Sequence, residues 1–307
     1  MKFMLVGGCL SCDLLLLSSG VPACLLQQLI VIAQRRRATA AGKGTDSTLI
    51  QKSSSNQSLQ QILEERKKRG ATRLLTRNIR NAMAWMSGGD SNVDLVNNLQ
   101  NNNLFKDGRV RDAMLKVDRG DFTSIMPYGD HPVSIGYGAT ISAPHMHASS
   151  LELLKDHLKE GDRALDVGSG SGYLTACMAI MVGRTGKVVG IDHIQALVDD
   201  SKRNIKKHHE DLLTDRRIIL VKGDGRKGYE KEAPYTAIHV GAAAPEIPTE
   251  LIKQLAKGGR MLIPVGPEGG PQRFVQVDKD TNGNVTQKNL MGVSYVPLTD
   301  EQHQLYN

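Results

Sequence analysis

The feature that most constrains this chain is a regular alternation of apolar runs and helical segments from residue 164 onward. We interpret the apolar runs as β-strands, and they cover residues 164–170, 187–192, 218–225 and 235–244. Apolar residues recur at helical spacing in the segments between and after them, residues 173–183, 196–209 and 248–259. Strands that alternate with helices form a mostly parallel, twisted sheet with helices on both faces. The sequence therefore predicts a Rossmann-like α/β domain.

Further elements extend this predicted domain to residues 83–307. Helical spacing predicts two helices before the sheet, over residues 93–102 and 109–117, and a loop-rich region follows at 126–147. After the last predicted helix, three more strands are expected at residues 260–266, 273–280 and 292–298. A ligand of such a sheet binds beyond the carboxyl ends of its parallel strands, so the candidate site lies there.

The first 82 residues differ in composition from the predicted domain. Residues 1–37 form an apolar segment in which the run 14–33 is about long enough to cross a bilayer, although Pro22 and two glutamines interrupt it. A membrane anchor, a cleaved signal peptide and a poorly structured extension all remain open as interpretations. Three arginines at 35–37 would keep the following chain in the cytosol if the segment spans. Residues 38–82 are polar and basic, and we interpret them as a linker.

The distribution of charge argues against a nucleic-acid partner. Of the net charge of +7, residues 1–82 contribute 13 Lys and Arg against 4 acids, which leaves the predicted domain close to neutral.

Cys177 is the sole cysteine after residue 24, so an internal disulfide cannot hold the domain, and a reducing, cytosolic compartment is expected. His145 and His147 have no evident third ligand, so we expect no metal. Because no heptad pattern or apolar stripe indicates assembly, a monomer is expected.

A glycine-rich loop follows the first strand of the predicted sheet. The sequence Asp-Val-Gly-Ser-Gly-Ser-Gly at 166–172 places Gly168, Gly170 and Gly172 where a ligand can approach the backbone. The G-x-G-x-G spacing differs from the G-x-G-x-x-G loop of dinucleotide-binding folds. Asp166 directly precedes the loop and disfavours a nearby diphosphate, but it suits a cofactor that ends in a cationic amino acid, as S-adenosylmethionine does.

Two further acids stand at the ends of the next strands. Asp192 could accept two hydrogen bonds from a ribose diol, and Asp224 with the amide of Gly225 could meet an adenine edge. A single aspartate after a strand is usually a helix cap or a turn residue. Three of them at successive strand ends, together with the glycine loop, favour a nucleoside cofactor.

Six blocks of sequence carry a resemblance to a known family. They are ATISAPHMHA (139–148), ALDVGSGSG (164–172), GIDHI (190–194), GDGR (223–226), IHVGAAAP (238–245) and YVPLTD (295–300). On these blocks the chain resembles the protein-L-isoaspartate (D-aspartate) O-methyltransferase family from Met83 to about Gln304. Other methyltransferases share the glycine loop but not the first block, which makes that block the most specific. One departure is Thr236, where the family commonly has Asp.

The resemblance implies S-adenosylmethionine as the cofactor and isoaspartyl or D-aspartyl residues of damaged proteins as acceptors. It implies that Ser142 is the active-site residue and that further positions bind the cofactor, namely Ala139, Thr140, Ile141, Ser142, His147, Asp166, Asp192, Asp224, Gly225, Thr299 and Gln304. The isoaspartyl carboxylate is ionised at neutral pH and needs no general base, so the enzyme must align it and exclude water. A methyltransferase with another acceptor and a cofactor-binding protein without activity are the alternatives. The intact ATISAPH loop disfavours the second.

Overall fold

The computed structural model describes residues 86–306. The apolar segment 1–37 and the linker 38–82, which the sequence predicts, lie outside the described residues, and the boundary at Met83 stays a prediction. Nine strands are described: β1 Val133–Gly136, β2 Ala139–Ile141, β3 Arg163–Val167, β4 Lys187–Asp192, β5 Ile218–Lys222, β6 Tyr235–Val240, β7 Leu255–Val265, β8 Gln272–Lys279 and β9 Val285–Val293.

Seven of these strands form one sheet in the order β5-β4-β3-β6-β7-β8-β9, and β1 pairs with β2 in a separate hairpin. Every neighbouring pair from β5 to β7 is parallel. The last two strands join antiparallel, β8 against β7 and β9 against β8. The predicted Rossmann-like fold with a mostly parallel sheet is therefore confirmed.

The described helices flank this sheet. They are α1 Asn92–Asn101, α2 Gly108–Lys116, α3 Pro144–Leu154, α4 Tyr173–Met181, α5 Gln195–Thr214, α6 Thr249–Gln254 and α7 Glu301–Tyr306. The caps of the first two helices explain where they begin. The side chain of Ser91 accepts a hydrogen bond from the amide of Asp94, and Asp107 accepts one from Arg109. The predicted positions of α1, α2, α4 and α5 are confirmed.

Two hydrophobic cores lie on opposite faces of the sheet. Successive side chains of a strand point to opposite faces, so along β3 Ala164 joins one cluster while Leu165 and Val167 join the other. The first cluster contains residues from helices α1 to α5, and the second contains helical residues from α6 alone. Each fully buried aliphatic side chain contributes roughly 1.5–3 kcal/mol, so the two cores hold the carboxyl ends of the strands in a fixed arrangement.

The sequence prediction was wrong in two places after β6. The helix expected over 248–259 ends at Gln254, because Leu255 is buried opposite Tyr235 as the first residue of β7. Gly258 has a φ of +79°, which a helix cannot accommodate. The strand expected at 292–298 is instead β9 at 285–293. Its side chains are mostly exposed, so its sequence lacks the apolar alternation from which a strand could be predicted. Inside the predicted loop region, the β1–β2 hairpin and the start of α3 were also missed.

Within residues 86–306, no helix is both long enough and apolar enough to cross a membrane.

Candidate active site

A pocket opens at the carboxyl ends of β3, β4, β5 and β6, where ligands of such sheets bind. The residues that line it are Ala139, Thr140, Gly168, Gly170, Ile191, Asp192, His193, Gly225, Gly241, Ala242, Val296, Pro297, Leu298 and Gln304. Seven of the predicted site residues are among them, so the structure brings together residues far apart in sequence.

The glycine loop requires glycine for different reasons at different positions. Gly168 and Gly170 line the pocket with φ angles of +70° and +50°, a conformation that other residues rarely adopt. Gly172 lies away from the pocket lining, with a φ of +85°, and a Cβ there would approach the Cβ of Ser201 to 2.9 Å. The third glycine therefore lets α5 pack against the start of α4, while the first two expose backbone to the pocket.

Asp166 is buried behind the loop and does not line the pocket. It is 2% exposed. One carboxylate oxygen accepts a hydrogen bond from Thr175 Oγ1 at 2.6 Å, and the other accepts one from His239 Nδ1 at 2.9 Å. Asp166 thus ties the end of β3 to α4 and β6. Its direct contact with a cofactor, which the sequence suggested, stays a prediction.

Thr175→Val should destabilise the fold, because it leaves one oxygen of the buried Asp166 carboxylate without its hydroxyl donor. Valine has nearly the same shape, so the expected loss is that of one buried hydrogen bond to a charged group, about 1–3 kcal/mol. Urea unfolding followed by circular dichroism measures it. Thr175→Ser keeps the hydroxyl and is the control. Equal stability of the valine variant and the natural protein would show that this hydrogen bond contributes nothing.

Asp192 lines the pocket and also organises the glycine loop. Its Oδ2 accepts a hydrogen bond from the Gly170 amide at 3.1 Å, and its Oδ1 accepts one from the Ile194 amide at 3.0 Å. Burial raises the pKa of Asp192, and the two amides partly oppose that rise. Each oxygen keeps a second lone pair, so the carboxylate can still accept hydrogen bonds from a bound diol.

Asp224 is placed differently from Asp192. Its carboxylate forms a two-pronged ion pair with Arg226 at 2.9 and 3.0 Å and also accepts the Arg226 amide. Partial burial raises the pKa of Asp224, but its hydrogen bonds with Arg226 outweigh that effect and hold the pKa below its ordinary value. Gly225 lines the pocket, whereas Asp224 does not. The contact of Asp224 with an adenine edge stays a prediction.

The segment 139–142 leads from the pocket to the predicted acceptor site. Ala139 and Thr140 line the pocket, and the side chain of Ile141 is buried in the core. The carbonyl of Ser142 accepts a hydrogen bond from Arg119 Nη2 at 2.9 Å. Burial raises the pKa of Tyr295, and a side-chain hydrogen bond with Ser142 opposes that rise. Arg119 therefore fixes the backbone of Ser142, and the Ser142 hydroxyl lies beside the hydroxyl of Tyr295.

His147 packs behind this segment and does not line the pocket. Its ring lies 5.0 Å from that of Tyr173, and its Nδ1 accepts a hydrogen bond from Arg119 Nη1 at 3.4 Å. Burial and the Arg119 charge hold the pKa of His147 well below its ordinary value, so the ring is neutral. Because Nδ1 accepts, the proton sits on Nε2. The predicted cofactor contact of His147 stays a prediction.

The C-terminal segment covers one side of the pocket. Gln304 in α7 donates from Nε2 to the Tyr137 carbonyl and accepts from His193 Nε2, both at 2.8 Å. Thr299 is half-buried next to Leu298, which lines the pocket, but Thr299 itself does not. Gln304 thus links the tip of the β1–β2 hairpin to the loop after β4, across the pocket mouth.

Sequence reasoning missed several residues of this site. His193, Gly241, Ala242, Val296 and Pro297 line the pocket, and all lie in or beside blocks that carried the resemblance. Arg119 gave no signal, because a single arginine in a loop is usually a solvated residue.

Thr236, the departure from the family pattern, lies at the start of β6, where its hydroxyl is 2.9 Å from the carbonyls of His157 and Arg163. That end of the strand is remote from the pocket.

The donor set of the pocket fits a nucleoside cofactor that lacks a diphosphate. The buried carboxylate of Asp192 lines it, and at the glycines its wall consists of backbone without side chains. A Cβ on Gly225 would come within 2.5 Å of the Val167 side chain, so the backbone must stay bare there. No basic side chain other than His193 lines it, which disfavours phosphate groups. Within residues 86–306, no group of three or more His, Cys, Asp or Glu side chains could hold a metal. The fold and pocket together define an S-adenosylmethionine-dependent methyltransferase.

Comparison with known proteins identifies the family. The model of the protein-L-isoaspartate(D-aspartate) O-methyltransferase family matches residues 90–303, and the chain belongs to this family. A protein-L-isoaspartate O-methyltransferase of Caenorhabditis elegans is 55% identical over 222 residues, which are 72% of this chain and 98% of that protein. The Arabidopsis thaliana protein-L-isoaspartate O-methyltransferase 1 is 50% identical over 219 residues, 70% of this chain and 94% of that one.

A solved structure shares the fold of the described domain. It is that of a protein-L-isoaspartate O-methyltransferase from Plasmodium falciparum in complex with S-adenosyl-L-homocysteine. The TM-score is 0.64 with 38% sequence identity, and the match covers 69% of this chain and 99% of that chain. The family resemblance that the sequence blocks indicated is therefore confirmed.

Proposed function

We propose that this pocket holds S-adenosylmethionine and that Ser142 orients the free carboxylate of an isoaspartyl residue beside it. The chain is a protein-L-isoaspartate O-methyltransferase, and methylation of that carboxylate begins the repair of damaged proteins. The product-bound state of the Plasmodium falciparum relative, with S-adenosyl-L-homocysteine, supports the choice of cofactor. D-aspartyl residues, which the family name includes, are proposed as further acceptors.

Methyl transfer to a carboxylate requires neither a general base nor a nucleophile from the protein. S-adenosylmethionine, when bound, supplies an electrophilic methyl group on a sulfonium. The acceptor carboxylate is already ionised at neutral pH and is itself the nucleophile. The Ser142 hydroxyl donates one hydrogen bond to a carboxylate oxygen and leaves the other free to react. Ala139 and Thr140 line the cofactor pocket next to Ser142, so the same segment borders the methyl donor, aligns the acceptor and helps to exclude water.

The observation that carries this proposal is the continuity of the segment 139–142. Two of its residues line the cofactor pocket, and the backbone carbonyl of the next polar residue along it, Ser142, accepts a hydrogen bond from a buried arginine. An acceptor at Ser142 therefore lies next to the pocket without needing a conformational change in this segment.

Methyl transfer from labelled S-adenosylmethionine to a synthetic isoaspartyl peptide tests the function. We expect turnover on the isoaspartyl peptide and none on the same peptide with normal aspartate, since the extra backbone methylene of the isoaspartyl linkage presents the carboxylate differently. A D-aspartyl peptide is the third arm. Equal turnover on the normal aspartyl peptide would contradict the proposed acceptor.

We also propose that the enzyme works as a monomer in the cytosol and that residues 1–33 bring it into contact with a membrane. The apolar composition of that segment and the basic residues that follow it support the contact. Isoaspartyl residues in cytosolic proteins are the acceptors that this location supplies.

A chain that begins at Met83 should keep full activity on isoaspartyl peptide, because every proposed cofactor and acceptor residue lies after that position. Cell fractionation of the full chain should place more of it with membranes than of the shortened chain. If both chains remain entirely in the supernatant, the proposed membrane contact is wrong. Loss of methylation in the shortened chain would show that residues 1–82 take part in folding or catalysis.

A further inference from the structure

A buried arginine lies directly behind the proposed acceptor site. Arg119, in the short 3-10 helix Arg119–Asp121, has no exposed surface. Burial lowers its pKa to about 10, so the guanidinium still carries its charge at neutral pH. Burial of a charged group is costly unless a partner of opposite charge is close, and such groups persist in proteins where the charge has a use.

The hydrogen-bond partners of Arg119 are all neutral. Nη2 donates to the Ser142 carbonyl and Nη1 to the neutral ring of His147, while the guanidinium lies 5.6 Å from the Tyr173 ring centroid. Among the described residues, Nε has no hydrogen-bond partner. The polar atoms around Arg119 therefore orient its side chain without cancelling its charge.

No carboxylate within residues 86–306 lies within ion-pair distance of Arg119. Asp130 acts on it from farther away and raises its pKa somewhat. The Oδ1 of Asp130 is already engaged by the amide of His145 at 3.0 Å and by His145 Nδ1 at 2.8 Å. Its Oδ2 has no hydrogen-bond partner among the described residues, so neither oxygen of Asp130 bonds to Arg119, and the positive charge beside the Ser142 peptide has no directly bonded counter-charge.

We propose that Arg119 is a positioning and selectivity residue that makes the acceptor site prefer an ionised carboxylate to a neutral group of the same shape. It does so in two ways. Its hydrogen bond fixes the Ser142 peptide and with it the hydroxyl that faces the acceptor. Its charge, in a site of low dielectric constant, attracts the negative charge of the acceptor. The inference rests on the proposed function, because it takes the isoaspartyl carboxylate as the acceptor at Ser142.

The reaction removes the negative charge of the acceptor, so the preference favours the substrate over the product. Methyl transfer forms a bond between the carboxylate oxygen and the methyl carbon, and the bond from that carbon to sulfur breaks with its electron pair left on sulfur. The acceptor changes from an anion to a neutral ester. The attraction from Arg119 is therefore present for the substrate and absent for the product, so it favours binding of the substrate and release of the ester.

Calorimetric titration of the full chain saturated with S-adenosylhomocysteine, which prevents turnover, tests the inference. Two peptides are compared: an isoaspartyl peptide and the same peptide with isoasparagine, in which a neutral amide replaces the carboxylate. We expect the natural protein to prefer the isoaspartyl peptide. Arg119→Met and Arg119→Gln should weaken isoaspartyl binding by roughly 5- to 30-fold and isoasparaginyl binding by less than about 3-fold. Arg119→Lys, which keeps the charge, should retain most of the preference.

A merely structural role predicts a different pattern. If Arg119 serves only to hold the loop, its replacement should weaken both peptides by the same factor, and that result would overturn the inference. Arg119→Gln can still donate to the Ser142 carbonyl, so it covers the case in which Arg119→Met does not fold. A natural protein that binds both peptides equally would overturn the inference without any variant. If the natural protein binds and methylates no isoaspartyl peptide at all, the proposed function fails instead.

Arg260→Met is the matched control. Arg260 also donates to a backbone carbonyl, that of Leu153 at 2.9 Å, but its guanidinium pairs with Asp278 at 2.6 Å. It lies in β7, away from Ser142, so its loss should leave the ratio of the two peptide affinities unchanged.

Discussion

Replacing Asp192 with alanine is expected to weaken S-adenosylmethionine binding by roughly 10- to 150-fold, the loss of about 1.5–3 kcal/mol from hydrogen bonds to a charged acceptor. The carboxylate is the acidic side chain that lines the pocket, and each of its oxygens accepts a single backbone hydrogen bond, which leaves a second lone pair on each. It also accepts the Gly170 amide, so its removal releases the glycine loop as well. Isothermal titration calorimetry with the cofactor measures the change.

Asp199→Ala is the control for this prediction. Asp199 lies in α5, a few residues after Asp192, and forms an exposed ion pair with Lys202 at 3.6 Å. Its replacement should leave cofactor affinity unchanged. Asp192→Asn keeps one acceptor oxygen and should lose less than the alanine variant. Unchanged affinity in a folded Asp192→Ala protein would remove this residue from the cofactor site.

The strands at the centre of the sheet could be predicted from the sequence because both of their faces are buried. β3, β4 and β6 show nearly continuous apolar runs, since each face of these strands packs against one of the two cores. β9 could not be predicted, because it lies at the edge of the sheet with mostly exposed side chains. The end of α6 was misjudged because Leu255 continues the apolar spacing of that helix. Its burial arises from strand pairing instead.

The candidate site was also predictable from the sequence only in part. Motif spacing located the pocket-lining residues Gly168, Gly170, Asp192 and Gly225, because their positions after successive strands determine where they lie. It could not give the direction in which a side chain points. Asp166 stands in the same motif, yet its carboxylate turns inward to Thr175 and His239. Such orientation depends on partners far away in sequence, and a motif does not record them.

Ser142→Ala is expected to reduce turnover on isoaspartyl peptide by roughly 10- to 1,000-fold, the range for one orienting hydrogen bond in an active site. Cofactor affinity should stay nearly unchanged, since the Ser142 side chain does not line the pocket while the glycine loop and Asp192 do. Steady-state kinetics with labelled cofactor, together with calorimetry on the same samples, separates the two effects.

The size of that loss distinguishes how Ser142 acts. The nucleophile is the substrate's own carboxylate, so removal of the hydroxyl impairs alignment but abolishes no covalent step. Complete inactivity with tight cofactor binding would point instead to a covalent role for the serine. Full activity would assign the orienting hydrogen bond to another donor, and Tyr295 is the candidate because its side chain interacts with that of Ser142. Ser142→Thr keeps the hydroxyl and should retain more activity than the alanine variant. Ser134→Ala, an exposed change on the partner strand of the same hairpin, should retain all of it.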